Sequence, residues 1–128
     1  MCISGNIFAN NAGPGIDLDG DGRQINDPSD TDAGFNNGQN YPEISNFLPD
    51  TPTTGQFAVE YSVDTALTDA AFPMQIEFFR ASGDEGFEFL GADSYNPVSP
   101  GATQQFILPG SPTITTDDVV IATATDAN

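Results

Sequence analysis

The sequence predicts an all-β chain built as an antiparallel sandwich. Three observations carry that prediction. Apolar and polar residues alternate with period two over several short stretches. Thirteen Gly and ten Pro punctuate the intervals without any fixed period. No helical periodicity competes, apart from residues 64–71, which have room for one helical turn.

The strands are expected in order. A short apolar segment at 44–48 interrupts a polar stretch and reads as the first. Phe57, Val59, Tyr61 and Val63 alternate with Ala58, Glu60 and Ser62, as a half-buried strand requires. Met74, Ile76 and Phe78 alternate with Gln75, Glu77 and Phe79. Residues 87–90, 105–108 and 119–125 follow, separated by turns bearing Gly, Pro or Asp. Short strands at this spacing are the signature of a β-sandwich. The apolar share of 38%, with ten Phe and three Tyr, is enough for one compact core.

Two further zones precede the expected sandwich, which is assigned to residues 43–128. Residues 1–18 place short apolar pairs, Ile7 with Phe8 and Ile16 with Leu18, between Asn and Gly. One coil of a right-handed parallel β-helix reads this way, and such a coil cannot bury its apolar face alone. The chain is therefore expected to be a piece of something longer; the bland alternative is an N-terminal loop and hairpin. Residues 19–42 are polar and rich in Asp, Asn, Gly and Pro, the residues that close Asx turns and preset φ.

The run Asp17-Leu-Asp-Gly-Asp-Gly-Arg23, followed by Asp27, Asp30 and Asp32, puts six carboxylates within sixteen residues. The spacing Asp-x-Asp-x-Asp-Gly turns successive oxygens toward one centre, and a hard divalent cation, Ca²⁺ above all, relieves their repulsion. Asp17, Asp19 and Asp21 fit ligand positions one, three and five, with the carbonyl of Arg23 at seven. Pro28 stands where a helical calcium loop needs Glu, and no helix flanks the run, so this is not an EF-hand. Asp27, Asp30 or Asp32 would close the shell instead. Asp17, between Ile16 and Leu18, also reads as an outward strand residue.

The net charge of −17 disfavours nucleic acid and anionic membrane surfaces as partners; it equally serves solubility or salt adaptation. No apolar run reaches the length of a membrane span, and no signal-peptide pattern opens the chain. Cys2 is the lone cysteine, so an intrachain disulfide is impossible, although it leaves room for an intermolecular one. His and Lys are both absent, which removes imidazole bases, Schiff-base lysines and His-ligated zinc. The remaining catalytic option is a carboxylate pair, Glu60 with Glu77 on neighbouring strands. Tyr41, Phe79 and Tyr95 are candidate sugar-stacking rings, but the absence of Trp weakens a carbohydrate-binding role.

The motifs taken in order resemble a known family. Gly5-Asn-Ile-Phe-Ala-Asn-Asn11, Gly15-Ile-Asp-Leu18, Gly20-Asp-Gly22 and the stretch from Asn26 to Pro42 are similar to the end of bacterial parallel β-helix surface proteins. The segments at 75–81, 89–91 and 121–128 resemble the immunoglobulin-like domain that follows there. The family often has Gly or Asn near the position of Asp19, and it usually continues past the equivalent of Asn128. The resemblance implies an immunoglobulin-like sandwich after a terminal coil, an extracellular or cell-surface location, and a non-catalytic structural or adhesion role. It names no ligand, so the surface partner or glycan stays open. Self-assembly into an oligomer or fibre through exposed β-edges is the rival reading.

Overall fold

The computed structural model describes residues 4–17, 20, 22–31, 33–49, 56–83, 85–109 and 114–127. Among them are six strands: β1 (Glu43–Pro49), β2 (Phe57–Ser62), β3 (Met74–Ser82), β4 (Glu85–Tyr95), β5 (Gln104–Leu108) and β6 (Val120–Thr125). They form two antiparallel three-stranded sheets, ordered β1-β2-β5 and β4-β3-β6. The chain is all-β, as expected, and the two sheets are consistent with a β-sandwich. The described helical structure is one 3-10 turn, Phe35–Gly38. Residues 64–71, which had room for one helical turn, hold a hydrogen-bonded turn and no helix, with Asp69 N donating to the Ala66 carbonyl at 3.1 Å.

The alternation read from the sequence sets the inward faces. Val59, Tyr61 and Val63 are fully buried, as are Met74, Ile76, Phe78 and Tyr95. Each fully buried apolar side chain contributes about 1.5–3 kcal/mol. Rings join the two sheets: Tyr61 meets Phe78 edge-on at 5.2 Å and lies 5.6 Å from Tyr95, while Phe78 stacks on Phe106 at 5.5 Å. The Tyr61 hydroxyl donates to Asp93 Oδ2 at 2.7 Å, and Gln104 Nε2 donates to the same oxygen at 2.7 Å. One carboxylate thus links β2, β4 and β5 across the layers. Burial above all, and then the adjacent Asp93 carboxylate, push the Tyr61 hydroxyl well above its ordinary pKa.

Strand β4 is longer than the run of aromatics that marks it in the sequence. Phe78 lies opposite Gly91 and Phe79 opposite Phe89, so Leu90 is the extra residue of a bulge. Gly91 is required there by close approach: a Cβ would sit 2.9 Å from Pro109 Cδ and 3.3 Å from Phe106 Cε1. Near the far end of the β3-β4 hairpin, Arg80 pairs with Glu88 and reaches Asp118 at 3.8 Å, tying the lead-in of β6 to both strands.

Residues 4–17 carry no regular strand, and residues 4–11 lie across the outer face of the β4-β3-β6 sheet. That cover explains why Glu77 and Phe79, which point away from the core, are only 3% and 6% exposed. Glu77 Oε1 accepts from Ser4 Oγ at 2.8 Å and Gly5 N at 2.9 Å. Phe8 N donates to the Gly86 carbonyl at 2.8 Å, and Asn11 N to Glu85 Oε1 at 3.0 Å. Ile7 remains 60% exposed and Ile16 37%.

Candidate functional site

The acidic segment divides into two halves that behave differently. In the first, Asp19 and Asp21 lie outside the described residues, as does Asp32. Asp17 is exposed, and it organises a turn rather than a strand. Its Oδ1 accepts from Gly20 N at 2.7 Å and its Oδ2 from Gly22 N at 3.1 Å. Gly20 (φ 77°) and Gly22 (φ 97°) are both left-handed, which Gly adopts at no steric cost. The Arg23 side chain, exposed, sits over the Tyr41 ring at 4.2 Å, a cation–π contact.

In the second half the carboxylates turn inward and are met by the protein. Asp30 is 2% exposed and Asn40 is 4% exposed. Asp30 Oδ1 accepts from Asn40 N at 2.7 Å and Oδ2 from Thr65 Oγ1 at 3.1 Å. Asp27 Oδ2 accepts from Thr31 N and Oγ1, at 2.9 and 2.7 Å. Asn40 completes the knot: its Oδ1 accepts from Asp27 N, and its Nδ2 donates to the carbonyls of Asp27 and Asp64 at 2.8 and 2.6 Å. Asn26 exchanges a second reciprocal pair with the Tyr41 backbone, at 3.0 and 2.9 Å. Ala66 N donates to the Ser29 carbonyl at 3.0 Å. Residues 26–31 and 40–41 are thereby fastened to the end of the sandwich just after β2.

Among the described residues, no three acidic, cysteine or histidine side chains gather closely enough to hold a metal ion. Of the seven candidates taken from the sequence, the four that are described take different places. Asp17 builds the loop, Arg23 stacks on Tyr41, Asp27 and Asp30 belong to the knot, and the other three are outside the description. The sequence reading overlooked Asn26, Asn40 and Thr65. The signal for the Asn residues was present, since Asn is the side chain best able to imitate a peptide group; nothing local marks Thr65.

The proposed carboxylate pair does not form. β2 and β3 follow one another in the chain but lie in different sheets. Glu60 and Glu77 both alternate with core residues, so they point out from opposite faces, with both layers and the core between them. Stacked sheets alone are roughly 10 Å apart. Two of the three candidate sugar-stacking rings are also spoken for: Tyr95 is fully buried and Phe79 is covered.

A cleft of about 730 Å³ lies beside β6. One wall is the whole of β6 with Glu77 and Phe79; the other includes Phe8, Ile16, Tyr41 and Ile44. The side chain of Asn36 stands at one end of it. Its Nδ2 donates to the Ala124 carbonyl at 3.0 Å, and its Oδ1 accepts from Asp126 N at 3.3 Å. Asn36 (φ 53°, ψ 31°) and Asn37 (φ 59°, ψ 26°) are both left-handed, a conformation Asn tolerates better than most residues.

Comparison with protein-family models, with curated proteins and with solved structures returned no match.

Proposed function

We propose that this chain is a non-catalytic, calcium-stabilised structural or adhesion module of a larger exported β-helix protein. In it an immunoglobulin-like sandwich follows a terminal β-helix-like coil. The observation that carries the reading is the knot of Asp30, Asn40 and Thr65, because it makes the acidic segment a joint rather than a tether. A tether would allow residues 4–17 to swing. The joint fixes the path of the chain into the sandwich, while Glu77, Glu85 and Gly86 hold residues 4–11 on its outer face.

The strand order supports the immunoglobulin-like part. Sheets ordered β1-β2-β5 and β4-β3-β6 correspond to strands A, B and E of such a sandwich on one side, and C′, C and F on the other. The exposure of Ile7 and Ile16 supports the terminal-coil part, since a coil buries its apolar residues only against a neighbouring coil. The calcium part rests on the sequence of the 17–23 run, with Asp19 and Asp21 as ligands and Asp17 shaping the turn.

The role is mechanical. An ion in the 17–23 loop would neutralise the part of the acidic segment that the knot leaves unserved. Free calcium at a hundredfold above its dissociation constant would stabilise the fold by about 2.7 kcal/mol. Thermal unfolding in calcium and in EDTA tests this, with proteolysis of residues 17–23 as the local readout. The expected result is a lower melting temperature and faster cleavage in EDTA, both abolished in Asp19→Asn/Asp21→Asn. Identical melting and cleavage in the two buffers would remove calcium from the reading.

A further inference from the structure

We propose that Asn37 is a site of self-modification, a deamidation driven by the Gly38 backbone nitrogen, which cuts the 34–39 turn loose from the sandwich. The chemistry needs water alone and is the same with or without calcium in the acidic loop.

Asn37-Gly38 is the one place in the chain where Gly follows Asn. The backbone nitrogen after an Asn is near enough along the chain to attack the side-chain Cγ and close a cyclic imide. A Cβ on the following residue hinders that approach, and Gly has none. In the reaction the Gly38 nitrogen gives up its proton and bonds to Asn37 Cγ. The Cγ–Nδ2 bond breaks, and the amide nitrogen leaves as ammonia with that proton. Water then opens the imide at either carbonyl. One opening leaves aspartate; the other leaves isoaspartate, in which the main chain runs through Cβ and Cγ. One water is consumed for each ammonia released.

The closed turn holds this reaction back. Asn37 is exposed, with φ 59° and ψ 26°. At that ψ the Gly38 nitrogen points away from Cβ, so it reaches Cγ only after a large rotation of the peptide unit. Bonds within and beside the turn oppose the rotation. Asn37 N donates to the Gly34 carbonyl at 3.2 Å, and Gln39 N to the Asn36 carbonyl at 3.1 Å. Asn37 Nδ2 donates to the Asp69 carbonyl at 2.7 Å, at the exposed surface. A short 3-10 turn held at the surface opens at far lower free energy than a sandwich unfolds. The turn is thus the gate, and the rate of deamidation follows how often it opens.

The product does not close as before. Nδ2 is the donor to Asp69, and a carboxylate offers acceptors alone, so attraction becomes repulsion between oxygens. The new negative charge joins a chain already at −17. Isoaspartate also lengthens the main chain between the Asn36 carbonyl and Gln39 N, which bond in the closed turn. On one side the turn runs into Asn40, the centre of the knot; on the other lies Asn36, which holds the Ala124 carbonyl and Asp126 N. The joint is therefore loosened from the turn outward. The change accumulates with age, because the ammonia has left.

The test ages the full chain in mildly alkaline buffer, folded and in denaturing guanidinium, and follows it by peptide mass mapping. The amide-to-acid mass gain is expected at Asn37 ahead of every other Asn, and at least about tenfold faster in guanidinium. Mass decides rather than isoaspartate labelling, since Asp19-Gly20 and Asp21-Gly22 isomerise without a change of mass. Asn37→Gln, whose longer side chain closes a ring far more slowly, should abolish the gain at that position. The deamidated chain, separated by its extra charge, and Asn37→Asp should both exchange the Gln39 amide faster, with β3 unchanged. If Asn37→Asp fails to fold, the deamidated chain decides alone. Conversion first at another Asn, equal rates in the fold and in guanidinium, or unchanged protection of Gln39 after deamidation would each overturn the proposal.

Discussion

Between the sheets, Tyr61, Phe78 and Phe106 are held by contact with other rings. At residues 26–41 the chain is held instead by bonds between Asn or Asp side chains and backbone groups. The first kind of attachment is spread over many weak contacts and tolerates rearrangement. The second is concentrated in a few atoms, and each leaves a buried partner unsatisfied when it is removed. The sandwich should therefore lose stability in proportion to volume deleted, and the knot in proportion to donors and acceptors orphaned.

Phe78 sets the scale for the first. It is fully buried and touches both Tyr61 and Phe106 across the core. Phe78→Ala should cost about 3–5 kcal/mol, read as a fall in the urea midpoint. A smaller loss would mean that the sheets close over the gap.

Asp30 sets the scale for the second. Asp30→Ala strands Asn40 N and the Thr65 hydroxyl, both buried, and should cost about 2–3 kcal/mol. Asp30→Asn keeps one acceptor oxygen and should cost less. Proteolysis separates this effect from loss of core: Asp30→Ala should open residues 26–41 at denaturant concentrations where the strands still resist. Simultaneous loss of both would show that the knot and the sandwich unfold as one unit.

The two regions also differ in how far the sequence announces them. Period-two alternation found the inward residues of β2 and β3, because a sheet face is a local pattern. It stopped short on β4: Gly91, Asp93 and Ser94 look like a turn, yet Gly91 serves a bulge and Asp93 bonds between layers. The pairing of sheets was not legible either, which is why Glu60 and Glu77 looked like neighbours. The knot was half legible. Clustered Asp and Asn promised turns, but a carboxylate bound by Asn40 and Thr65 has the same local sequence as one awaiting a metal. Sequence separation explains the miss, since Asp30 and Thr65 are 35 positions apart.

The Tyr61 hydroxyl lies where the two kinds of attachment meet, a polar bond inside the apolar layer. Burial raises its pKa in the fold, and burial raises that of Tyr95 as well. The sign follows from which state holds the proton. Above the ordinary tyrosine value of about 10 the unfolded chain loses these protons and the fold keeps them, so stability falls with rising pH. The contribution is fully present below pH ~10 and is lost above it. Tyrosinate absorbance from these two rings should therefore appear only with unfolding. Tyr61→Phe should cost about 1 kcal/mol at neutral pH, the worth of the Asp93 bond, and should flatten the alkaline decline. An unchanged decline would place the alkaline sensitivity elsewhere.

Asp17 gives the smallest expected effect and the sharpest division within the acidic segment. Its oxygens are engaged by Gly20 and Gly22 amides at the exposed surface, where water replaces a lost bond at little cost. Asp17→Ala in EDTA should cost no more than about 1 kcal/mol, measured by urea unfolding. A carboxylate has lone pairs enough to serve two amides and an ion together, so geometry alone does not separate turn-former from ligand. Calcium does. For a turn-former the loss is the same in calcium and in EDTA; for a ligand it grows in calcium, because the mass-action stabilisation disappears too. With Asp17 as the turn-former, the two buffers should agree for Asp17→Ala and disagree for Asp19→Ala and Asp21→Ala. A larger loss in calcium for Asp17→Ala would move it into the ion's own shell.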